Sequence, residues 1–135
     1  MGLLIDTSVF IDHERGRIDL ARVVEGREEE EAFVSVVTGS ELLHGVHRAS
    51  EAGARARRSA FVESVLAEFT LLPIDILVAR THARLWAELV PAGRTVGALD
   101  LWIAATCLAR GLRLATGNER DFGRVPGLEV EVWGG

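Results

Sequence analysis

"LLIDTSVFID", residues 3–12, is an apolar run that stops on an aspartate and passes straight into two hydroxyl side chains. Leu3, Leu4 and Ile5 follow one another without polar alternation, as in a short strand buried on both faces of a parallel sheet. A carboxylate where such a strand ends has two ordinary explanations. It can cap the helix that begins at Thr7, or it can be a ligand for a metal ion.

Outward from this strand, the segments alternate. Residues 7–13 begin a helix, and residues 18–24 form a second, short one. "AFVSV" at 32–36 is β-branched and strand-like. A helix opened by Thr38 runs from residue 39 to about 49. Ala54, Phe61, Val65 and Phe69 space a helix over residues 51–68. Residues 71–74 form a brief strand, and the helix at 76–89 is ended by Pro91 and Gly93. The strongly apolar helix at 99–110 is closed by Gly111. Strands at 112–115 and 128–132 complete the chain. Strands separated by helices predict right-handed βαβ units, hence a three-layer α/β/α fold with a central, mostly parallel sheet. Ligands of such sheets bind at the carboxyl ends of the strands.

Four acids satisfy that rule: Asp6 after the first strand, Glu41 one turn beyond the second, Asp100 in the first turn of the most apolar helix, and Asp121 in "TGNERDF". Each has a local explanation as well. Asp6 is placed to cap, Thr38 and Glu41 have the spacing of a capping box, Asp100 offsets a helix dipole, and Asp121 suits a turn. Together they would crowd like charges at one end of one sheet, which is costly and raises carboxyl pKa values. A divalent cation removes that cost. Mg²⁺ or Mn²⁺ takes oxygen ligands, often only one or two carboxylates with several waters. Asp100 also shares a helix face with Ile103, Ala104 and Cys107, so it borders the buried stripe. Such a site suits phosphodiester hydrolysis. Thr7, Ser8, Thr116 and Asn118 are short polar groups at the same strand ends, suited to hold carboxylates or waters.

The length, 135 residues, suits one domain over residues 1–135. Net charge is −5, against a general nucleic-acid coat. All 15 basic residues are arginine, and the chain has no lysine. One cysteine, Cys107, permits no internal disulfide. No apolar run approaches a membrane span and no signal peptide is evident, so a cytoplasmic protein without a membrane partner is expected.

"LLIDTSVFI" (3–11), "VVTGSELLHGV" (36–46), "GALDLWIAATCLARG" (97–111) and "LATGNERDF" (114–122), in this order, resemble the PIN-domain family. Within it they are most similar to the VapC-type toxins of bacterial toxin–antitoxin pairs. "VPGLEVEVW" also looks like that family's ending. The resemblance implies a PIN-like α/β/α fold and an endoribonuclease dependent on Mg²⁺ or Mn²⁺. Asp6, Glu41, Asp100 and Asp121 would be the catalytic, metal-holding quartet, with Asp6 and Asp100 the firmest ligands and Glu41 acting directly or through water. The family's usual "TNN" is replaced here by Thr116-Gly117-Asn118, one side chain poorer. The resemblance also implies an RNA substrate, a homodimer and a cognate VapB-like antitoxin.

Two other functions compete. A receiver-like or phosphoryl-transfer α/β module also has an aspartate after its first strand, but both kinds call for a lysine that this chain lacks. A catalytically silent protein on the same fold is the other. Arg48, Arg55, Arg57 and Arg58 form a basic stretch for RNA or antitoxin contact, or a solvated helix face. His44 and His47 lack the spacing and third ligand of a zinc site. His13 and His82 are expected at the surface, Cys107 in the core, and Trp86, Trp102 and Trp133 in the core or a dimer interface. Residues 28–31, four glutamates, are expected to form an exposed loop edge.

Overall fold

β1 (Leu3–Ile5) is the central strand of a five-stranded sheet in the computed structural model, which describes residues 2–134. It pairs with β2 (Ala32–Ser35) on one side and β4 (Arg113–Thr116) on the other. β3 (Thr70–Leu72) and β5 (Val130–Val132) form the edges, giving the order β3-β2-β1-β4-β5. Each of these pairings is parallel. The sequence predicted a mostly parallel sheet; among the described residues it is wholly parallel.

The unbroken apolar run of β1 is explained by burial on both sides. Leu4 joins a core with Val78, Leu85, Ile103, Leu114 and Phe122. Leu3 and Ile5 point the other way, into a core with Val9, Phe10, Val34, Val62 and Val65. This is the period-two alternation of a strand. The first core is roofed by α5 (Ile76–Leu89) and α6 (Ala98–Arg110), the second by α1 (Thr7–Glu14), α3 (Val36–Arg48) and α4 (Ala52–Glu68). Short helices α2 (Leu20–Val23) and α7 (Glu119–Phe122) complete the layers. Gly111 closes α6 at φ 67°, a left-handed C-cap that glycine adopts without steric cost.

Several boundaries differ from the sequence expectation, each for a local reason. α3 begins at Val36 rather than Gly39, because the Ser35 hydroxyl accepts the Val37 N–H at 3.0 Å and starts the helix directly off β2. Thr38 therefore lies inside the helix, and the predicted capping box with Glu41 does not form. β3 stops at Leu72, because Pro73 lacks the N–H that would continue the ladder. α2 is confined to Leu20–Val23, with Asp19 accepting from the Ala21 N–H.

The glutamate run is not uniformly solvated. Glu28, Glu29 and Glu31 are exposed, but Glu30 is drawn into a network with Arg27, Arg113 and Glu131. Arg27 holds the Glu30 carboxyl down at about 2, helped by Arg113, and also lies over the Trp133 ring at 5.3 Å. The network ties the loop before β2 to β4 and β5.

From β1 the chain moves outward through β2 to β3, then returns to the far side of β1 for β4 and β5. The direction reverses between β1 and β4, and the crevice at their carboxyl ends is where such sheets bind ligands. Among the described residues, no helix is long and apolar enough to cross a membrane.

Candidate active site

Asp6 stands at that crevice, its N–H donated to Ala115 O at 2.8 Å across the β1–β4 pair. It occupies the N-cap position of α1, but its side chain makes no cap hydrogen bond. One oxygen, Oδ2, accepts the Ser8 hydroxyl at 2.7 Å and the Thr116 hydroxyl at 2.8 Å. Those hydroxyl oxygens accept the N–H groups of Gly117 and Asn118 in turn. The other oxygen, Oδ1, is buried and has no hydrogen-bond partner. Leaving such an atom unsatisfied costs about 1–3 kcal/mol, so a folded protein ordinarily gives it a water, an ion or a donor.

The other three acids gather around it. Glu41, on α3, accepts the Thr7 hydroxyl at 2.8 Å. Burial pushes the Glu41 carboxyl up, the Thr7 hydrogen bond pulls it back, and the Asp6 charge pushes it up again. Asp100, half-buried in the first turn of α6, is pushed up to about 6, first by burial and then by the charges of Asp6, Glu41 and Asp121. Asp121 has partners of its own. The Asn118 amide donates to it at 3.1 Å, and the Arg124 guanidinium lies 3.9 Å away. The Asn118 side chain also caps α7 by accepting the Asp121 N–H.

This is an all-oxygen donor set in a crevice where burial and neighbouring carboxylates push the Glu41 and Asp100 carboxyls up. Among the described residues, no three His, Cys, Asp or Glu side chains close into a ready-made cage. A hard divalent cation does not need one, because Mg²⁺ takes one or two carboxylates and keeps several waters. The unpartnered Asp6 oxygen beside the raised Asp100 fits that chemistry.

The sign of the Asp100 shift gives a test. A carboxyl with a raised pKa binds its proton more tightly in the folded chain than in the unfolded one. Its protonation therefore favours folding, and that contribution is lost as pH rises through about 6. Without metal, Asp100→Asn is expected to melt higher than the unaltered chain at pH 7.5, by roughly 2–5 °C, with the gap shrinking at pH 5. An equal offset at both values in thermal melts would contradict the charge crowding.

The basic stretch is largely spent on structure. Arg55 donates twice to Ala49 O and Arg58 once to Gly45 O, satisfying carbonyls at the end of α3. Arg58 also meets Glu14 at 3.3 Å, and Arg57 meets Glu51 at 3.8 Å. Arg48 and Arg58, with Arg15, line a groove of about 610 Å³ that reaches Glu41 and Leu99. Arg15 and Arg124 were not singled out from the sequence; the i,i+3 spacing of Arg124 from Asp121 was the one local signal, and Arg15 had none. His82 is a correction. It is buried rather than at the surface, stacked on Trp102 at 3.5 Å. Cys107 is fully buried, and burial pushes its thiol well up, which unsuits it as a nucleophile.

Comparison with known proteins adds the lineage. The sequence pattern of the PIN domain matches residues 3–128. Ribonuclease VapC1 of Rickettsia felis is 39% identical over 130 residues, covering 96% of this chain and 95% of its own. VapBC-5 of Mycobacterium tuberculosis, a member of the VapBC family of toxin–antitoxin systems, superposes with a TM-score of 0.75 at 38% identity, covering 97% of this chain and 95% of that one. A DNA-bound VapBC of Salmonella typhimurium superposes at 0.88 with 28% identity over 98% of each chain. The family match spans most of the chain and the relatives agree with it: the chain belongs to the PIN domain family.

Proposed function

We propose that this chain is an endoribonuclease of the VapC type, the toxin of a toxin–antitoxin pair, dependent on Mg²⁺ or Mn²⁺ and working as one domain over residues 1–135. The observation that carries the metal site is the Asp6 carboxylate. One oxygen is held by two hydroxyls, the other is buried and unpartnered, and the Asp6 charge helps push the neighbouring Asp100 up to about 6.

Asp6 and Asp100 would hold the ion, with Glu41 binding it directly or through water. When bound, the cation neutralises the carboxylates, polarises the phosphodiester and lowers the pKa of an attacking water. The chain's own groups do the positioning. Ser8 and Thr116 fix Asp6 by donating to Oδ2, which leaves Oδ1 without a partner. Asn118 fixes Asp121, whose charge adds to the field without needing to be a ligand. In the groove that leads to Glu41, Arg15 and Arg48 offer guanidinium forks to RNA phosphates.

A VapB-like antitoxin partner is part of the same proposal, supported by the VapBC neighbours. So is a homodimer, for which the exposed Ile76, Leu77, Trp86 and Val90 supply apolar surface on and beside α5. A cytoplasmic location follows from an intracellular RNA substrate. The phosphoryl-transfer alternative lacks its lysine.

The experiment is RNA cleavage by the purified chain with Mg²⁺ or Mn²⁺, and with EDTA. Cleavage is expected with either metal and loss below detection with EDTA. Because phosphate contacts release counterions, raising salt from 50 to 200 mM should weaken RNA binding at least tenfold. Undiminished cleavage in EDTA would contradict the metal site.

A further inference from the structure

Thr38 is wholly buried in the first turn of α3, and nothing proposed so far uses it. Its hydroxyl oxygen lies 2.8 Å from that of Thr7, and the Thr7 oxygen lies 2.8 Å from Glu41 Oε1. A hydroxyl has a single proton to donate. An ionised Glu41 can only accept, so Thr7 must give its proton to Glu41. The Thr7–Thr38 contact then has one possible donor, Thr38. The direction of the chain is set: Thr38 to Thr7 to Glu41.

The choice is unusual for a helical threonine, which commonly returns its proton to the carbonyl one turn back. Two others in this chain do so. Thr106 donates to Trp102 O at 2.8 Å, and Thr81 donates to Leu77 O at 3.2 Å. Thr38 instead gives its proton across the interface between α3 and α1, 31 residues away in sequence.

We propose that Thr38 is a positioning residue: its buried hydroxyl orients Thr7, and Thr7 in turn holds the Glu41 carboxylate in the acid crevice. This rests on the reading of that crevice as a metal site only for its functional consequence. The relay itself is a matter of hydrogen-bond direction. Without the Thr38 hydroxyl, Thr7 loses the contact that pins its side chain in the position from which it donates to Glu41. Groups that orient a ligand from behind typically change metal affinity or activity by about 10–100-fold.

The test compares the unaltered chain with T38V, which keeps the shape and removes the hydroxyl, and T38S, which keeps the hydroxyl and removes the methyl. Metal-free crystal structures report the Thr7–Glu41 contact, Mn²⁺ titration reports affinity, and thermal melts confirm folding. T38V is expected to lose the 2.8 Å contact and to bind Mn²⁺ roughly tenfold more weakly, while T38S keeps both. A T38V structure with Glu41 unmoved and Mn²⁺ affinity within twofold would overturn the relay. T38S failing like T38V would overturn it too, since packing rather than the proton would then matter. If the unaltered chain bound no Mn²⁺ while T38V still released Glu41, the relay would stand and the metal site would fall.

Discussion

Asp100→Asn is expected to lower RNA cleavage on the order of a thousandfold, in the range seen when a preorganised charged or dipolar group is removed from an active site. The same change is expected to leave a well-folded chain that melts higher than its parent without metal. Both effects have one cause. Asp100 is half-buried among Asp6, Glu41 and Asp121, and its charge costs the fold stability wherever it is ionised. Asparagine removes the charge and keeps the shape. Asp6→Asn is expected to lose activity equally but without the thermal gain. Its oxygen can still accept the Ser8 and Thr116 hydroxyls, but its NH₂ would then replace the buried Oδ1 as a donor without an acceptor, at about 1–3 kcal/mol. Cleavage rates and melting curves of the two variants separate charge removal from misfolding. An Asp100→Asn variant retaining a tenth or more of the rate would remove Asp100 from the chemistry.

Phe10→Ala is expected to be the most costly substitution for the fold, destabilising it by about 3–5 kcal/mol. Phe10 is fully buried and meets Phe69 edge-on at 5.5 Å, within the core shared with Val34, Val62 and Val65. Truncation leaves a cavity between α1 and α4 that neither helix can fill without moving. Domains of this kind have about 5–15 kcal/mol in total, so the loss is a large share. Phe10 is on the same short helix as Thr7 and Ser8, which hold Glu41 and Asp6, so that helix is loosened together with the core. Urea unfolding measures the energy directly. Phe10→Leu, which fills most of the volume, should cost well under half as much, and a Phe10→Ala cost below 1 kcal/mol would mean that α1 is not anchored as described.

The acids were legible because the rule that nominated them is topological. A carboxylate at the end of a buried strand, and others after later strands, are drawn together by a parallel sheet whatever their separation in sequence. The start of α3 was not legible. Val36 and Val37 are β-branched and extend the "AFVSV" pattern, and the single Ser35 hydroxyl overrides them. That three-residue difference concealed Thr38, which looks like a cap in the sequence and is a buried donor in the fold. His82 failed for another reason. Val78, His82, Leu85 and Leu89 lie on one helical stripe and all are buried, but a polar residue type outweighed the spacing. The Arg27–Glu30–Arg113–Glu131 network joins residues about a hundred positions apart, and no local pattern announces it.

The most direct measurement is anomalous diffraction from crystals of the metal-free chain soaked in Mn²⁺. The expected result is an anomalous peak within ligand distance of Asp6 Oδ1 and of an Asp100 carboxylate oxygen, absent from Asp100→Asn crystals. Mn²⁺ bound elsewhere, with the Asp6 oxygen still unaccompanied under saturating metal, would contradict the claim that these carboxylates are gathered to hold a cation.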